Sequence, residues 1–311
     1  MYYFIVNVSG GSGKAKKTWI SVREELKKRN VLYKAFRTKS SEHAGELAGK
    51  ISMLPDDNIH MVVVGGDGTI NAVLNGIKNF ERITFSVIPS GSANDFAGGL
   101  GISKDPVKAL IGVLDDKKES KWIDIGRVTT SSESRLFGIS SGIGLDAIVC
   151  KKALDSKIKN ILNKLNLGSL TYIILTVISL FTMDYIETEI EAYDTDDKPV
   201  IKEKINKMIF AAFMNVKAEG GGVPMAPDAK YDDGRLSVCI ASDISKLSAF
   251  TKLPLLVMAK QDRIKGFKLF DAKKLVIKIK EPAVLHADGE YVGDEETVNV
   301  ECLENKLRIK M

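Results

Sequence analysis

Apolar and polar residues follow one another along the first third of the chain in a recurring order of strand, turn and helix. Residues 61–64 are an apolar run without charge, which is typical of a strand buried on both faces in a parallel sheet. Apolar residues then recur at helical spacing over residues 70–77, and Thr69 is the predicted N-cap. The pattern predicts an α/β domain, a parallel sheet with helices on both faces.

Further elements follow from the same periodicities. Strands are predicted over residues 3–8, 31–37 and 83–88, and helices over residues 18–29 and 106–114. The pattern changes at Trp122, after which short alternating segments rich in β-branched residues predict a mainly antiparallel β-sandwich as a second domain. These strands are predicted over residues 122–128, 136–149, 185–194, 204–216, 234–241, 274–280 and 297–303.

This change sets the predicted domain boundaries. We expect residues 1–124 and 299–311 to form the α/β domain and residues 125–298 to form the β-rich domain. A closing strand over residues 306–311, after a turn at Asn305, is expected to return to the first domain. A length of 311 residues accommodates two domains, since a single core rarely grows past roughly 250–300 residues.

Composition adds little to this picture. The formal charge of +5 is mild; it suits an anionic nucleotide or a membrane surface without singling out either, and no nucleic-acid partner is predicted. Three distant cysteines without C-x-x-C spacing predict buried, reduced thiols in a cytosolic protein. The N-terminus is too short and too soon interrupted for a signal peptide, and no apolar run reaches the ~18 residues of a spanning helix.

Candidate chemistry enters at the turn after residues 61–64. Strand, glycine-rich turn and helix together aim backbone N–H groups at an anion, usually a phosphate. Glycines let the backbone approach a ligand closely. Asp67 lies among them and would repel a phosphate, unless Mg²⁺ sits between the two. The sequence Gly-Gly-Asp-Gly-Thr is too specific for an ordinary tight turn.

The run GGDGTIN resembles the signature of the diacylglycerol kinase catalytic domain, which bacterial lipid kinases share with sphingosine and ceramide kinases. The wider superfamily includes NAD kinases and phosphofructokinases. The resemblance extends from the N-terminal block NVSGGSGK to the block HADGE near the C-terminus. It implies a nucleotide-binding first domain, a lipid-binding second domain and an active site in the cleft between them, with ATP and Mg²⁺ as cofactors.

The first domain carries the implied nucleotide site. Two blocks depart from the family pattern, with Glu42 in place of a glycine and Ser92 in place of a threonine, and His43 is expected to be a surface helix residue. By the resemblance, Asp67, aided by Asp95 and Asp124, organises Mg²⁺ and water. The residues implied around the nucleotide are Asn7, Ser9, Gly10, Lys14, Thr38, Gly65, Gly66, Asp67, Gly68, Thr69, Asn71, Gly91, Ser92, Asn94, Asp95 and Asp124.

Two blocks of the second domain also carry chemistry. The resemblance implies that Asp233, with the backbone carbonyls of Lys230 and Arg235, holds a structural Mg²⁺; taken alone, the Asp-Asp-Gly run is a hairpin turn. It further implies that Glu290 takes the proton from the attacking hydroxyl, which makes Glu290 and Asp67 the catalytic pair. In isolation, Asp288-Gly289 is a turn signal and Glu290 a solvated side chain.

A membrane partner is suggested by residues 170–183, an apolar segment that follows a lysine-rich stretch. Fourteen helical residues span about 21 Å, short of the roughly 30 Å hydrocarbon core, so this segment should not cross a bilayer. Its apolar residues favour a buried helix over an amphipathic helix at the bilayer surface. Lysines 151, 152, 157, 159 and 164 could each add ~1 kcal/mol at an anionic leaflet. We expect a cytoplasmic protein in peripheral contact with the inner face of the membrane.

The sequence therefore predicts an ATP-dependent lipid kinase whose acceptor is a lipid alcohol, with diacylglycerol, giving phosphatidic acid, as the first choice. A sphingoid base or phosphatidylglycerol stays open as acceptor, as does a homodimer. One alternative is a soluble-substrate kinase resembling NAD kinases. Another is a non-catalytic lipid- or nucleotide-binding regulator on the same scaffold, which the departures at Glu42 and Ala72 favour mildly and the retained acids disfavour.

Overall fold

The structure is a computed structural model that describes residues 1–8, 14–154, 168–194 and 196–311, without the side chains of residues 154 and 168–172. Over these residues the chain divides into two compact units, Met1–Ile125 with Leu303–Met311, and Gly126–Cys302. The first unit ends at Ile125, one residue after the expected end at residue 124. It resumes at Leu303, four residues after the expected start at residue 299.

The first unit contains a parallel sheet flanked by helices, as the sequence predicts. Its strands lie in the order β2-β1-β3-β4, and the end of the last strand of the chain joins β4 in parallel through Ile309 opposite Phe85. Helix α1 packs with α5, and α2 packs with α3. The elements are β1 (Tyr2–Val6), α1 (Lys14–Lys28), β2 (Tyr33–Arg37), α2 (Ser41–Ser52), β3 (Ile59–Gly65), α3 (Asp67–Gly76), β4 (Ile83–Pro89), α4 (Asp95–Gly99) and α5 (Pro106–Leu114).

The start of helix α3 corrects one prediction. The helix begins at Asp67, and its N-cap is Gly66 in an extended conformation (φ −99°, ψ −176°), so Thr69 is not the N-cap. Thr69 lies in the first turn, where its hydroxyl accepts a hydrogen bond of 2.9 Å from the Asn7 side-chain amide. Asp67 and Gly68 are therefore helical residues, and the glycine turn is shorter than the sequence suggests.

The second unit is built on antiparallel strands, and its sandwich-like character is confirmed. Alternate residues of β9 contribute to two apolar clusters, with Ala211 and Phe213 in one and Ala212 and Met214 in the other. The strands are β5 (Lys121–Thr129, which begins in the first unit), β6 (Ser134–Phe137), β7 (Ser140–Gly144), β8 (Ile186–Tyr193), β9 (Pro199–Met214), β10 (Leu236–Ser242), β11 (Phe267–Ala272), β12 (Lys274–Ala287) and β13 (Glu290–Ile309, which ends in the first unit).

This unit also contains helices: the helix expected over residues 170–183 is confirmed, and two others lie where no helix was predicted. The predicted strand over residues 136–149 is two strands followed by helix α6 (Leu145–Leu154), because Gly144 adopts a positive φ of 97° and ends β7. Helices α7 (Gly168–Thr182) and α8 (Lys246–Val257) follow, and the sequence analysis missed α8. The predicted break at Asn305 is a residue with positive φ (49°) inside a continuous β13.

Candidate active site

The first group of candidate residues lies where the neighbouring parallel strands β3 and β4 end, with Gly65 opposite Pro89. The two following turns approach each other closely. A Cβ atom on Gly66 would lie 2.9 Å from the Cα of Gly91, and one on Gly91 would lie 2.6 Å from the Cα of Gly66. Only glycine fits at both positions, and bare backbone at a sheet edge is suited to binding phosphate.

Asn94 holds the second of these turns in place. It adopts a left-handed conformation (φ 58°, ψ 44°), which asparagine tolerates better than most residues. Its side-chain oxygen accepts a 2.8 Å hydrogen bond from the Gly91 N–H, and its side-chain amide donates one of 3.0 Å to the Gly91 carbonyl. The predicted binding residue Asn94 is thus a brace for the glycine turn.

Asp67 follows the first glycine turn and is hydrogen-bonded to the backbone that follows the second. Its two carboxylate oxygens accept hydrogen bonds of 3.2 Å from the backbone N–H groups of Asp95 and Phe96, at the start of α4. Burial raises the pKa of Asp67, and the backbone hydrogen bonds partly oppose this rise. A carboxylate offers about four lone-pair sites, so both oxygens keep capacity for a cation. Hard oxygen donors beside two closely approaching glycine turns fit Mg²⁺ bound to nucleotide phosphates.

The other residues predicted to bind the nucleotide differ in their contacts and in their burial. The Asn7 side chain contacts Thr69, and the half-buried Asp95 accompanies Asp67. Fully buried Asn71 accepts a hydrogen bond from Asn75. Lys14 and Ser92 are exposed, Gly68 is half-buried, and Thr38 is buried after β2, where its N–H donates to Val6. Ser9 and Gly10 lie outside the described residues.

Asp124 lies on β5 and is fully buried. Its carboxylate accepts a 2.8 Å hydrogen bond from the N–H of Asn305, the residue with positive φ inside β13. This contact gives Asp124 a structural role at the bend of that strand. Its predicted contribution to organising Mg²⁺ stays a prediction.

In the second unit, Glu290 is the first residue of β13 and follows a two-residue hairpin turn. Ala287 pairs with Glu290 across the hairpin, and both turn residues have positive φ, 50° at Asp288 and 80° at Gly289, as in a type I′ turn. The Asp288 carboxylate accepts three backbone hydrogen bonds, from Gly138 (2.9 Å), Ile139 (2.8 Å) and Ser140 (3.1 Å). The turn that presents the half-buried Glu290 is therefore firmly anchored.

The sequence analysis assigned no role to the residues beside this turn. The Nδ1 atom of His286 accepts a 3.2 Å hydrogen bond from the Gly289 N–H, and its Nε2 lies 3.2 Å from a carboxylate oxygen of Asp146. The Ser140 hydroxyl donates to Glu219. The one signal in the sequence was a histidine two residues before Asp-Gly, whose partner Asp146 is 140 residues away.

Asp146, Glu219 and His286 also raise the question of a metal site, because their ligand atoms all lie within 4.8 Å of one another. Their described contacts include hydrogen bonds within the protein: His286 to Asp146 and to the turn, Asp146 to the Ala147 N–H, and Glu219 to Ser140. The arrangement is that of a hydrogen-bonded network around an imidazole.

The predicted structural Mg²⁺ site lies in the segment before β10. Asp233 is exposed, and its carboxylate accepts a 3.2 Å hydrogen bond from the N–H of Arg235 across Gly234, which has a positive φ of 75°. Arg235 forms a 3.0 Å ion pair with Asp194, and Lys230 is exposed. The geometry is that of a turn closed by its own aspartate, and the metal role stays a prediction.

Helices α7 and α8 expose apolar side chains, which we name the apolar surface. Buried Leu175 and Leu180 anchor α7, and the rings of Phe181 and Phe250 lie 5.9 Å apart. No helix within the described ranges is long and apolar enough to cross a membrane. The exposed members of the apolar surface are Ile173, Ile174, Ile178 and Phe181 on α7, and Leu247, Phe250 and Val257 on α8.

Comparisons with known proteins match the whole of this architecture. Residues 1–128 match the family model described as "Diacylglycerol kinase catalytic domain", and residues 141–311 match the "YegS C-terminal NAD kinase beta sandwich-like domain". The protein named "Putative lipid kinase YtlR" of Bacillus subtilis (strain 168) is 29% identical over 297 residues, 94% of each chain.

Two further similarities agree with these matches. A protein named "Diacylglycerol kinase", also from Bacillus subtilis (strain 168), is 29% identical over 75% of this chain and 71% of its own. A crystal structure of "a putative diacylglycerol kinase from Bacillus anthracis str. Sterne" covers 99% of this chain and 96% of its own, with a TM-score of 0.74 and 20% identity. The structural likeness supports the two-domain fold.

Proposed function

Because the chain belongs to the family of lipid kinases that carry the diacylglycerol kinase catalytic domain, we propose that it transfers the γ-phosphoryl group of Mg-ATP to the hydroxyl of a lipid alcohol. Diacylglycerol, which would give phosphatidic acid, is the first candidate acceptor. The observation that carries the proposal is the half-buried Asp67 carboxylate, set between two glycine turns and hydrogen-bonded to the first amides of α4.

The chemistry asked of the protein is positioning and charge neutralisation, since phosphoryl transfer needs little covalent help. Bound Mg²⁺ would neutralise charge on the phosphates, and Asp67 would be its main protein ligand. The turns at Gly66 and Gly91, which carry no side chain, would let the phosphates approach the backbone closely. Glu290 would accept the proton of the acceptor hydroxyl. The oxygen of that hydroxyl would bond to the γ-phosphorus as ADP leaves.

A labelled-product assay tests this function. The protein is incubated with γ-labelled ATP, Mg²⁺ and a bacterial lipid extract, and then with purified diacylglycerol, a sphingoid base, phosphatidylglycerol or NAD. We expect label in a chloroform-soluble product, formed fastest with diacylglycerol. Label in NADP would support the NAD kinase alternative, and absence of transfer to every acceptor by a folded, ATP-binding protein would support a non-catalytic regulator.

We also propose that the carboxylate of Asp233, with the backbone carbonyls of Lys230 and Arg235, binds a structural Mg²⁺. A ligand that binds only the folded state raises the melting temperature. Millimolar Mg²⁺ should therefore raise the melting temperature of the wild type more than that of Asp233→Ala, measured by calorimetry without nucleotide. Asp232→Ala, which removes the neighbouring exposed carboxylate, is the control and should respond like the wild type. Equal shifts in all three proteins would leave this segment as a simple turn.

We also propose that the protein binds peripherally to an anionic membrane. The apolar surface would lie at the interface, and exposed Lys252 on α8, with exposed Arg263 and Lys265 after it, would attract anionic headgroups. The described lysines of the predicted basic stretch are engaged: Lys151 pairs with Asp294, and Lys152 donates to Ser179. Lysines 157, 159 and 164 lie outside the described residues.

Vesicle sedimentation tests this contact. We expect binding to phosphatidylcholine vesicles that contain phosphatidylglycerol, and release by high salt because exposed charges are screened. The pair Ile178→Ser and Phe250→Ser should weaken binding several-fold, whereas Leu32→Ser, at an exposed leucine of the first unit, should not. Equal binding to neutral vesicles at high salt would contradict the electrostatic mechanism and indicate hydrophobic insertion of residues 170–183.

A further inference from the structure

We propose that His286 and Asp146 form a positioning pair, which fixes the turn at Asp288-Gly289 and thereby sets the carboxylate of Glu290. The inference rests on the proposed role of Glu290 as general base. It goes beyond that role because it identifies two residues that act on the base without reacting themselves. The structural observations are one hydrogen bond on each side of the imidazole ring and a glycine that makes room for the pair.

The first observation is the bond between the ring and the turn. In the β12–β13 hairpin Ala287 pairs with Glu290, so Gly289 lies at the tip of the turn. The Gly289 N–H donates a 3.2 Å hydrogen bond to Nδ1 of His286, so the ring is bonded directly to the turn. An imidazole that accepts at Nδ1 carries its proton at Nε2 when neutral, and there it faces the Asp146 carboxylate at 3.2 Å. Asp146 thus selects the tautomer that the turn requires.

The second observation is that the surrounding backbone accommodates this pair. His286 is 2% exposed, and its register partner on β7 is Gly142. A Cβ atom on Gly142 would collide with the Asp146 carboxylate and with Nε2 of His286. The Ser141 hydroxyl donates a 2.7 Å hydrogen bond to the His286 carbonyl, which holds the backbone of β12 at this point. Glycine at position 142 therefore makes room for the contact between His286 and Asp146.

The protonation state of His286 decides whether the pair can work. Burial lowers the pKa of the ring, but the hydrogen bond with Asp146 on α6 and the charges of Asp146, Glu219 after β9 and Asp288 in the turn outweigh it, so the pKa is raised. A second proton would occupy Nδ1 and turn the acceptor facing Gly289 into a donor. Cys150, one turn further along α6, stays a neutral thiol because burial raises its pKa well above the usual value. Activity should therefore fall as the pH drops through the raised pKa of His286.

Three variants separate positioning from bulk stability. His286→Leu fills the space without an acceptor, and we expect kcat at pH 8 to fall at least about tenfold, with KM for ATP within a few-fold, because a misplaced base slows only the chemical step. His286→Asn places an amide oxygen near the Nδ1 position, so kcat should stay within a few-fold and the acidic fall in activity should flatten. Asp146→Asn still accepts from Nε2 but removes a charge, so the fall in activity at acidic pH should move to lower pH, with a smaller loss of kcat at pH 8 than in His286→Leu.

The pH profile of His60→Asn, at a half-buried histidine of the first unit, should match that of the wild type. An unchanged kcat and pH profile in His286→Leu would overturn the proposal while leaving the kinase function intact. A raised KM for the lipid in Asp146→Asn with no shift of the fall in activity at acidic pH would overturn it as well, since Asp146 would then contact the acceptor.

A readout without turnover distinguishes failure of this proposal from failure of the proposed function. The chain has three histidines, so each imidazole can be followed by nitrogen-detected NMR, with the His286 signal assigned by its loss in His286→Asn. We expect the Nε2–H tautomer at pH 8, and a lower pKa of His286 in Asp146→Asn than in the wild type. A neutral Nδ1–H tautomer would overturn the positioning pair even if the protein were a fully active kinase.

Discussion

Replacing Asp67 by Asn is expected to lower turnover at least about 100-fold while the protein stays folded. The carboxylate is the proposed protein ligand of the nucleotide-bound Mg²⁺, and the loss of one charge there acts directly on the charged transition state. Asparagine keeps one side-chain oxygen for either Asp95 or Phe96, so the structural loss is about one hydrogen bond, on the order of 1 kcal/mol.

The pKa of Asp67 gives a further reason to expect a folded variant. Burial raises this pKa, so the charged carboxylate that is present at neutral pH works against folding. A neutral asparagine removes this cost, which offsets part of the lost hydrogen bond. The melting temperature at pH 7 should therefore stay close to that of the wild type, as measured by calorimetry.

A matched control exists in the same unit. Asp105 is the N-cap of α5, and its carboxylate accepts 2.9 Å hydrogen bonds from the N–H groups of Val107 and Lys108. Asp105→Asn makes the same chemical change at another helix start, away from the glycine turns. It should leave turnover within about two-fold. If both variants lost activity equally, or if a folded Asp67→Asn kept near-wild-type turnover, the assignment of Asp67 would be wrong.

The sequence predicts the central βα unit well because one strong pattern governs it. An apolar run buried on both faces identifies β3, and the glycines after it indicate a close approach that the structure contains. The start of α3 was wrong because Gly66 caps the helix by backbone conformation alone, without a side chain to signal it. From the sequence alone, a glycine at this position is equally consistent with a turn residue and with an N-cap.

Two helices of the second unit, α6 and α8, were harder to predict because their sequences contain residues that disfavour a helix. Leucine, isoleucine and valine at the start of α6 favour a strand, yet Gly144 redirects the chain with positive φ. Pro254 lies inside α8 and argues against a helix, although Ser245 caps the start by accepting from the Ser248 N–H. In both cases a single residue at the start of the helix, Gly144 or Ser245, accounts for what the periodicity missed.

The residues of the candidate site also differ in how far the sequence could predict them. Residues at the starts of elements, such as Gly66 and Glu290, lie in contiguous motifs, so a sequence can indicate them. The contact between His286 and Asp146 joins residues 140 positions apart, and no local spacing encodes it. Asn94 was predicted beside the nucleotide, and its bracing of Gly91 became visible only with the backbone conformation in hand.

Replacing Glu290 by Gln tests the proposed base itself. Glutamine keeps the size and the hydrogen-bonding capacity of the side chain but takes no proton, and removing a general base typically lowers the rate by ~10²–10⁴-fold. We expect kcat to fall within that range and ATP affinity to stay within a few-fold, because nucleotide binding does not use this group. Glu296→Gln, at an exposed glutamate of the same strand, is the control and should behave like the wild type.

The double variant makes the test of Glu290 sharper. If His286 acts only through Glu290, adding His286→Leu to Glu290→Gln should lower kcat little further, although His286→Leu alone lowers it at least about tenfold. Asp67→Asn combined with Glu290→Gln should differ, with a weakened response to Mg-ATP that Glu290→Gln alone does not show. If Glu290→Gln keeps kcat and only raises KM for the lipid, Glu290 positions the acceptor, and Asp67 becomes the next candidate for the base.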